Sequence, residues 1–371
     1  MRIVIIGAGV AGLSIGWRLA QAGAEVTVLE RAQPGHAATW ASAGMISATA
    51  EIGDHHTPEA RFARHSAALW PHFAREIEEI SGIDIGFRVD GTLIVARTPD
   101  QAATLRARAK GSAGLEFLAT ANARALEPLL PAEMVGALFD PNEAQVDNRA
   151  LGSAVAIAFQ RAGGVLHTNE AVVRIETGNG RAVAARTPFS RYDADVFILA
   201  AGAWSSRLEG LPPAAVPQVI PVKGEMIALA PSGATLPRHM IWGNEVYLVP
   251  RRDRLLVGAT VSCEGFDSRT TEAAATWLQE HVVGLMPALH AWPVVEHWAG
   301  LRPGSPDDLP LIGETALDGL FVASGQYRNG ILLAPAIADA MRDLLLGKEI
   351  AAEIRAFDPS RFVADRSPSI D

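Results

Sequence analysis

The 371-residue sequence predicts an α/β protein: a nucleotide-binding domain in discontinuous pieces, with an inserted antiparallel-sheet domain of α+β character. Three observations carry that prediction. The chain opens with "RIVIIGAGVAGLSIGWRLAQAGAEVTVLER", which reads as strand, glycine turn, helix and strand. A second strand, glycine loop and helix stand near the end, in "GLFVASGQYRNGILLAPAIADAMRDLLLG". Between them, "VIPVKGEMIAL" through "EVYLVPRRDRLLVGATV" is a series of strands of alternating character, as in a separate antiparallel sheet.

Taken in order, Ile3, Val4, Ile5 and Ile6 form an apolar run suited to a strand buried on both faces. Gly7, Gly9 and Gly12 fit G-x-G-x-x-G, the Rossmann-like pattern for a tight turn, close backbone approach to a pyrophosphate, and close helix–strand packing. The helix that follows points free N–H groups and partial positive charge at the phosphates. Glu25 to Glu30 is the second strand, and Glu30 at its end can accept hydrogen bonds from a ribose. Its charge would repel a 2′-phosphate, which disfavours NADP; the opening stretch fits NAD and FAD alike.

"RAQPGHAATWASAGMISATAE" is rich in Ala, Gly and Ser, a composition for backbone lying against a ligand. Residues 57–81 carry helical periodicity through Phe62, Leu69, Phe73 and Ile77, and "FRVDGTLIVART" predicts a hairpin around Asp90-Gly91. Residues 99–109 read as helix, "GSAGLEFLATANARALEPLLP" as a strand and short helix, and "NRALGSAVAIAFQRAGG" as an amphipathic helix ending in paired glycines. Strands follow in "VLHT", "AVVRIETGNGRAVAART" and "ADVFILAAGAWS". The last of these brings Ala201 and Gly202 where the chain crosses close to a nucleotide. The division expected is 1–85, 145–216 and 296–371 for the nucleotide domain, and 86–144 with 217–295 for the substrate domain. The last dozen residues are expected to form a loose tail.

The composition is that of an ordinary globular protein, with 49% hydrophobic and 20% charged residues. A net charge of −9 argues against nucleic acid or an anionic membrane as the main partner. A single cysteine, Cys263, leaves no internal disulfide framework and fits a reducing compartment. The apolar start after Arg2 is interrupted by phosphate-turn glycines, so it is read as fold and not as a signal peptide. No stretch approaches a membrane span, and the expected address is the cytoplasm without integral membrane association. Homo-oligomerisation is compatible with all of this. The ten histidines include adjacent His55 and His56 but no H-x-x-x-H, so no metal site is expected.

The C-terminal "GQYRNGILLAP" separates flavin from nicotinamide. A nicotinamide dehydrogenase usually needs only the first nucleotide unit plus a catalytic domain. Here a second glycine loop opens a helix whose first turn can face an isoalloxazine ring and stabilise the negative charge of its reduced form. With "GAGVAG", "WASAGM", "ILAAGAWS", "PVKGE", "VYLVPR", "LLVGAT", "WAGLRPGSPDDLPLIG" and "YRNGILLAP", the chain resembles the D-amino-acid oxidase superfamily. Within it the resemblance is to glycine oxidase of the thiamine-biosynthesis type, in the family's order over nearly the whole length.

The resemblance implies FAD. It implies flavin contacts from Val10 and Ala11, from Glu30 and Arg31, and from Ala38, Thr39, Ala43, Gly44 and Met45 beneath the ring. Val172 matches an adenine-side contact. Gln326, Tyr327, Arg328, Asn329, Gly330, Ile331 and Leu332 match the loop and helix start at the pyrimidine edge. The FAD is expected to be non-covalent. The cysteine that bonds the ring in sarcosine oxidases is absent from Ser305-Pro306-Asp307-Asp308, and Ala41 replaces the histidine used by dimethylglycine dehydrogenases. Cys263 reads as an ordinary thiol.

At the substrate end, Arg302 in "AGLRPG" is held in a rigid turn, and its fork suits a carboxylate. The alternative for Arg302 is a surface ion pair with Asp307 or Asp308. The resemblance gives Tyr247 the same carboxylate and gives the Arg328 carbonyl the substrate amine; Met45 is also a candidate for the substrate cavity. Glu245 stands where glycine oxidase has a histidine, and Val261 where it has a cavity methionine. His297 is expected beside Trp298, and no side chain is assigned as acid or base. The expected reaction is oxidation of glycine, sarcosine or a small D-amino acid by hydride transfer to flavin N5. Molecular oxygen is then reduced to hydrogen peroxide, and the imine hydrolyses or serves thiazole formation. A D-amino-acid dehydrogenase that passes electrons to a quinone or carrier is the alternative.

Overall fold

A computed structural model describes residues 1–52, 56–233 and 235–362. The expected tail falls largely beyond Phe362, and His55 also lies outside the described residues.

The nucleotide domain is organised on a six-stranded sheet. In spatial order it holds Leu311–Glu314, Leu320–Ser324, Val196–Leu199, Arg2–Ile6, Glu25–Leu29 and Val165–His167. All neighbours pair in parallel except the Leu311–Glu314 edge. The first strand shows why its sequence is a continuous apolar run. Ile3 and Ile5 pack into a helical layer with Leu13, Trp17, Phe73, Phe159 and Ile337. Val4 and Ile6 face the opposite way, into a layer with Ile175, Ala182 and Ala185 of a three-stranded antiparallel sheet. Both faces are covered, as a parallel sheet requires.

The helical layer is made by Val10–Gln21, Pro58–Ser81, Asn148–Arg161 and Ala334–Leu345. Pro58–Ser81 starts under a Thr57 side-chain cap and stops at Gly82, whose φ of 75° is the left-handed conformation that ends helices.

The second sheet has eight strands in the order Val294–Gly304, Ile220–Leu229, Leu255–Gly258, Val246–Pro250, Met240–Gly243, Thr92–Ala96, Gly136–Asp140 and Glu116–Leu118. One face packs on the helix Glu272–Leu285 through Ile227, Leu248, Val257 and Leu278. The other presents Met226, Tyr247 and Trp298 toward Ala41 and Ala43 of the nucleotide domain. Strand Val294–Gly304 pairs with Ile220–Leu229 from Gly304↔Ile220 to Val294↔Leu229. Residues 296–304 therefore belong to the inserted sheet, although the sequence division gave them to the nucleotide domain. The remaining boundaries stand as our proposed division.

Two local expectations are corrected. The hairpin around Asp90-Gly91 does not form: Thr92–Ala96 pairs with Gly136–Asp140 and Met240–Gly243, while Arg88 only bridges to Gln145. Pairing along the whole of Thr92–Ala96 with Gly136–Asp140 outcompetes the short segment before Gly91, which makes a single bridge elsewhere. His297 does not pack beside Trp298, because successive strand residues point to opposite faces. Its Nε2 lies 2.9 Å from Glu225 Oε2, whereas Trp298 Nε1 donates to the Ala41 carbonyl on the site face.

Candidate active site

The C-terminal ends of the parallel strands and the inner face of the second sheet enclose one elongated cavity of about 450 Å³. In an open parallel sheet this is the expected place for a ligand. Gly7, Gly9, Val10, Ala11, Glu30, Arg31, Val172, Ala201 and Gly202 line one end. Gly7 has a φ of 108°, and a Cβ there would sit 2.5 Å from the Ala200 carbonyl oxygen. Gly12 does not line the cavity. A Cβ on it would lie 2.1 Å from the Gly7 carbonyl oxygen, so its task is close packing of the helix under the turn.

The helix Val10–Gln21 begins with no side-chain cap from Gly9 and no acid in its first turn, which leaves its positive end suited to an anion. Glu30 accepts from the backbone N–H of Ala8 at 2.8 Å and of Ala32 at 3.0 Å. Each carboxylate oxygen keeps a lone pair for a further donor. Arg31 lies over the Trp204 ring, 3.5 Å from its centroid, and burial holds its pKa below the ordinary arginine value. Trp204 had no signal in the sequence beyond its place after "AAGA".

The middle is walled by Ala38, Thr39, Ala43, Gly44 and Met45. Backbone carbonyls of this loop are held by long side chains from elsewhere. Asn148 Nδ2 donates to the carbonyls of Thr39 at 2.9 Å and Trp40 at 2.7 Å, and Thr39 Oγ1 accepts from Val10 N at 3.0 Å. The buried Arg251 guanidinium donates to the Ala43 carbonyl and, at 2.8 Å, to that of Val146. Burial pushes its pKa down to about 10. Arg251 was part of the quoted "VYLVPR", but its role as the brace of this loop was not foreseen.

Gln326, Tyr327, Arg328, Asn329, Gly330, Ile331 and Leu332 line the cavity opposite this loop. Regular helix begins only at Ala334, later than expected, so these residues form turns leading into it. The Tyr327 N–H donates to the Pro303 carbonyl at 2.9 Å, tying the loop to the arginine strand. Gln326 Nε2 and Asn329 Oδ1 are buried without a hydrogen-bond partner. Orphaned polar atoms facing a cavity call for a polar ligand. With the glycine cradle at the other end, they make the chain fit a flavin dinucleotide.

The substrate end brings Arg302 and Tyr247 together, but Arg302 lies inside the strand Val294–Gly304, paired with Val222, and not in the expected rigid turn. Arg302 Nη1 donates to the carbonyls of Lys223 at 3.2 Å and Thr260 at 3.1 Å, which fixes the guanidinium plane. A Cβ on Gly224 would fall 2.3 Å from its Nη1 and Nη2, and one on Gly258 would fall 2.5 Å from the Tyr247 ring. Burial pushes the Tyr247 phenol above its usual pKa, opposed chiefly by the Arg302 charge. Asp307 pairs with Arg361 at 2.9 Å, so the alternative of an Arg302 surface ion pair is not realised there. Arg328 lines the same end.

Two expected substrate residues lie elsewhere. Glu245 sits at the tip of a hairpin with Asn244, both at positive φ (68° and 51°); its side chain is 78% exposed and lies near His281. Val261 is 48% exposed and does not line the cavity, because the preceding Thr260 turns the chain outward while its carbonyl holds Arg302. Glu51 does line it, and sequence reasoning missed it. The available signal was an acid closing an otherwise small-sided, uncharged stretch. Loss of solvent raises its pKa to about 7, against the pull of Arg328 first and Arg302 second. Among the described residues, no group of three His, Cys, Asp or Glu is arranged to hold a metal ion, and no helix is long and apolar enough to cross a membrane.

A family model described as FAD dependent oxidoreductase matches residues 2–344. The chain is 34% identical over 378 residues to the bifunctional protein ThiO/ThiG of Synechocystis, covering 99% of this chain but 55% of that protein, so it spans about half the length of that relative. It is also 34% identical to the glycine oxidase of Geobacillus kaustophilus, covering 97% of each. The crystal structure of glycine oxidase from that organism superposes with a TM-score of 0.91 at 33% identity, covering 97% of this chain and 99% of that one.

Proposed function

Because the chain belongs to the FAD-dependent oxidoreductase family, we propose that it oxidises glycine or a related small amino acid, such as sarcosine or a small D-amino acid, at the expense of oxygen. The observation that carries the proposal is the placement of Arg302 and Tyr247 in the same cavity as the dinucleotide cradle, at its far end. A guanidinium fixed in its plane by two backbone carbonyls keeps its remaining N–H groups for a carboxylate, and the phenol adds a neutral donor. The flavin, when bound, supplies the acceptor for the Cα hydride.

The chain's own residues position the substrate. Arg302 and Tyr247 hold the carboxylate, and the small residues Ala43 and Gly44, with the Met45 side chain beside them, set the depth at which the Cα rests. The amine must be neutral for its lone pair to assist loss of hydride. The products are an imine, hydrolysed to a 2-oxo acid and ammonia or an amine, and hydrogen peroxide. The likeness to ThiO/ThiG supports use of the imine in thiazole formation for thiamine.

A peroxide-coupled screen of glycine, sarcosine and both alanine enantiomers, with oxygen uptake followed in parallel, tests this. Peroxide from glycine or sarcosine, with D-alanine preferred over L-alanine, is expected. Turnover only with an artificial electron acceptor, without oxygen uptake, would move the protein to the D-amino-acid dehydrogenases.

A further inference from the structure

Glu51 ends the short helix Ala48–Glu51, and that turn is fastened from three sides. Glu143 accepts from Ser47 Oγ at 2.8 Å and from the N–H groups of Thr49 at 2.7 Å and Ala50 at 2.9 Å. Thr49 Oγ1 donates to Asp140 Oδ2 at 2.6 Å, and Arg108 Nη2 donates to the Thr49 carbonyl at 2.6 Å. Glu143 itself is buried and fully engaged. The purpose of so much fastening is not visible within the turn, because Glu51, the residue it presents, uses its carboxylate for none of these bonds.

Among the described residues, the Glu51 carboxylate makes no ion pair and no side-chain hydrogen bond, yet it faces the substrate end of the cavity. The charged and titratable groups that act on it are Arg328, Arg302, Glu143 and Glu59, and it acts in turn on Tyr247. Arg328 and Arg302 are near enough to attract it and too far for an ion pair within 4 Å. Glu51 is half-buried, and a carboxylate that loses part of its hydration without gaining a partner is destabilised. Since none of the described residues supplies a partner, an occupant of the cavity is placed to supply one.

We propose that Glu51 is the contact for the substrate's amino group, and that its charge admits zwitterions while rejecting molecules with a second anionic group. The inference rests on the reading that this cavity binds an amino acid by its carboxylate. With that carboxylate on Arg302, the cavity presents a cation and an anion in the order a zwitterion can satisfy. A dicarboxylate on Arg302 would bring its second charge against Glu51, and like-charge juxtaposition of this kind discriminates strongly. Glu143, Asp140 and Arg108 are then positioning residues, which hold the acid at the mouth of the arginine pocket.

The test uses the FAD-loaded protein at about pH 8, where Glu51 is ionised. Binding of acetate and malonate is read from perturbation of the flavin visible spectrum, and glycine turnover is measured alongside. In Glu51→Gln, malonate affinity should rise relative to acetate by about tenfold or more, since removal of a repulsive charge acts on the second carboxylate. The KM for glycine should rise about tenfold while kcat changes less. Glu51→Asp, which keeps the charge, should retain the preference for acetate over malonate. A malonate-to-acetate ratio unchanged in Glu51→Gln, with FAD content intact, overturns the inference, because a purely structural role would weaken both ligands alike. Failure of the wild-type protein to oxidise any small amino acid would instead remove the proposed function, and the ligand ratio would still report on Glu51.

Discussion

Gly224 lies directly beneath the guanidinium of Arg302: a Cβ at position 224 would sit 2.3 Å from both terminal nitrogens and 2.4 Å from Cζ. The two residues belong to adjacent strands, Ile220–Leu229 and Val294–Gly304, in which Gly224 pairs with Gly300 and Val222 with Arg302. On one face of this ladder the side chain of Arg302 folds back across the position where Gly224 has none. The glycine in "PVKGE" is therefore part of the arginine's seat.

Gly224→Ala should displace the guanidinium without removing its charge. A reacting group moved by about 1 Å commonly costs up to about 100-fold in rate, so kcat/KM for the amino-acid substrate should fall roughly 10- to 100-fold. FAD content should be unchanged, since the strand does not build the nucleotide end. Wild-type kcat/KM in a well-folded Gly224→Ala variant would show that the arginine tolerates another pose.

Glu30→Ala should weaken the cofactor more than the fold. The carboxylate holds the Ala8 and Ala32 N–H groups at the edge of the glycine turn, and it is the acceptor available to a ribose hydroxyl. Hydrogen bonds to a charged acceptor contribute about 1.5–3 kcal/mol each, so the Kd for FAD should rise roughly 10- to 100-fold. Fluorescence titration of the apoprotein with FAD measures it directly; an unchanged Kd would reduce Glu30 to a brace for the turn.

Acid or denaturant should release all the yellow colour into the supernatant as free FAD. Cys263 is an exposed free thiol in the inserted domain, and the loop after Arg302 carries Ser305 and no cysteine. Colour retained by the precipitated protein would reveal a bond to some other side chain.

Ligand binding should depend on the ionisation of Glu51. Its carboxyl is raised to about 7, so it is an anion above that pH and neutral below it. A simple carboxylate on Arg302 is repelled only by the anion, and acetate should therefore bind more tightly as pH falls from about 8 to about 6. Glycine, which presents an ammonium, should show the opposite trend in kcat/KM. The acetate trend should vanish in Glu51→Gln, whereas glycine kcat/KM should keep the part of its rise that comes from deprotonation of the substrate amine; a variant that keeps the acetate trend would assign the ionisation to another group.

The architecture was legible because glycine spacing and strand patterning are local. "GAGVAG" has one geometry in which Gly7 and Gly12 make sense, and the alternating strands before Gly258 describe a sheet wherever it sits. The nucleotide end was legible for the same reason. The substrate end was only half so. Tyr247 and Arg302 lie inside strands, where the period of two carries an inward residue to its neighbours. Glu245 stands two positions before Tyr247, but the Asn244–Glu245 turn ends the strand at Val246, and parity does not extend across a turn. Val261 fails similarly beyond the strand Leu255–Gly258. Glu51 could not be placed because its direction is set by Glu143, Asp140 and Arg108, more than fifty residues away in the chain.

The decisive substitution is Arg302→Ala. It removes the cation that the proposed carboxylate would meet and leaves that charge in a partly dry site. Loss of one partner of such a pair costs about 2–5 kcal/mol, roughly 30- to 5,000-fold in kcat/KM. Arg302→Lys should recover only part of this, because an ammonium cannot both reach the Lys223 and Thr260 carbonyls and present a planar fork to the substrate. FAD should stay bound in both variants. A small primary amine without a carboxylate supplies the control: its turnover, however slow in the parent, should fall far less in Arg302→Ala than turnover of glycine does. Equal losses on both substrates, with folding and FAD content intact, would mean that Arg302 serves the sheet, through those two carbonyls, and not the substrate.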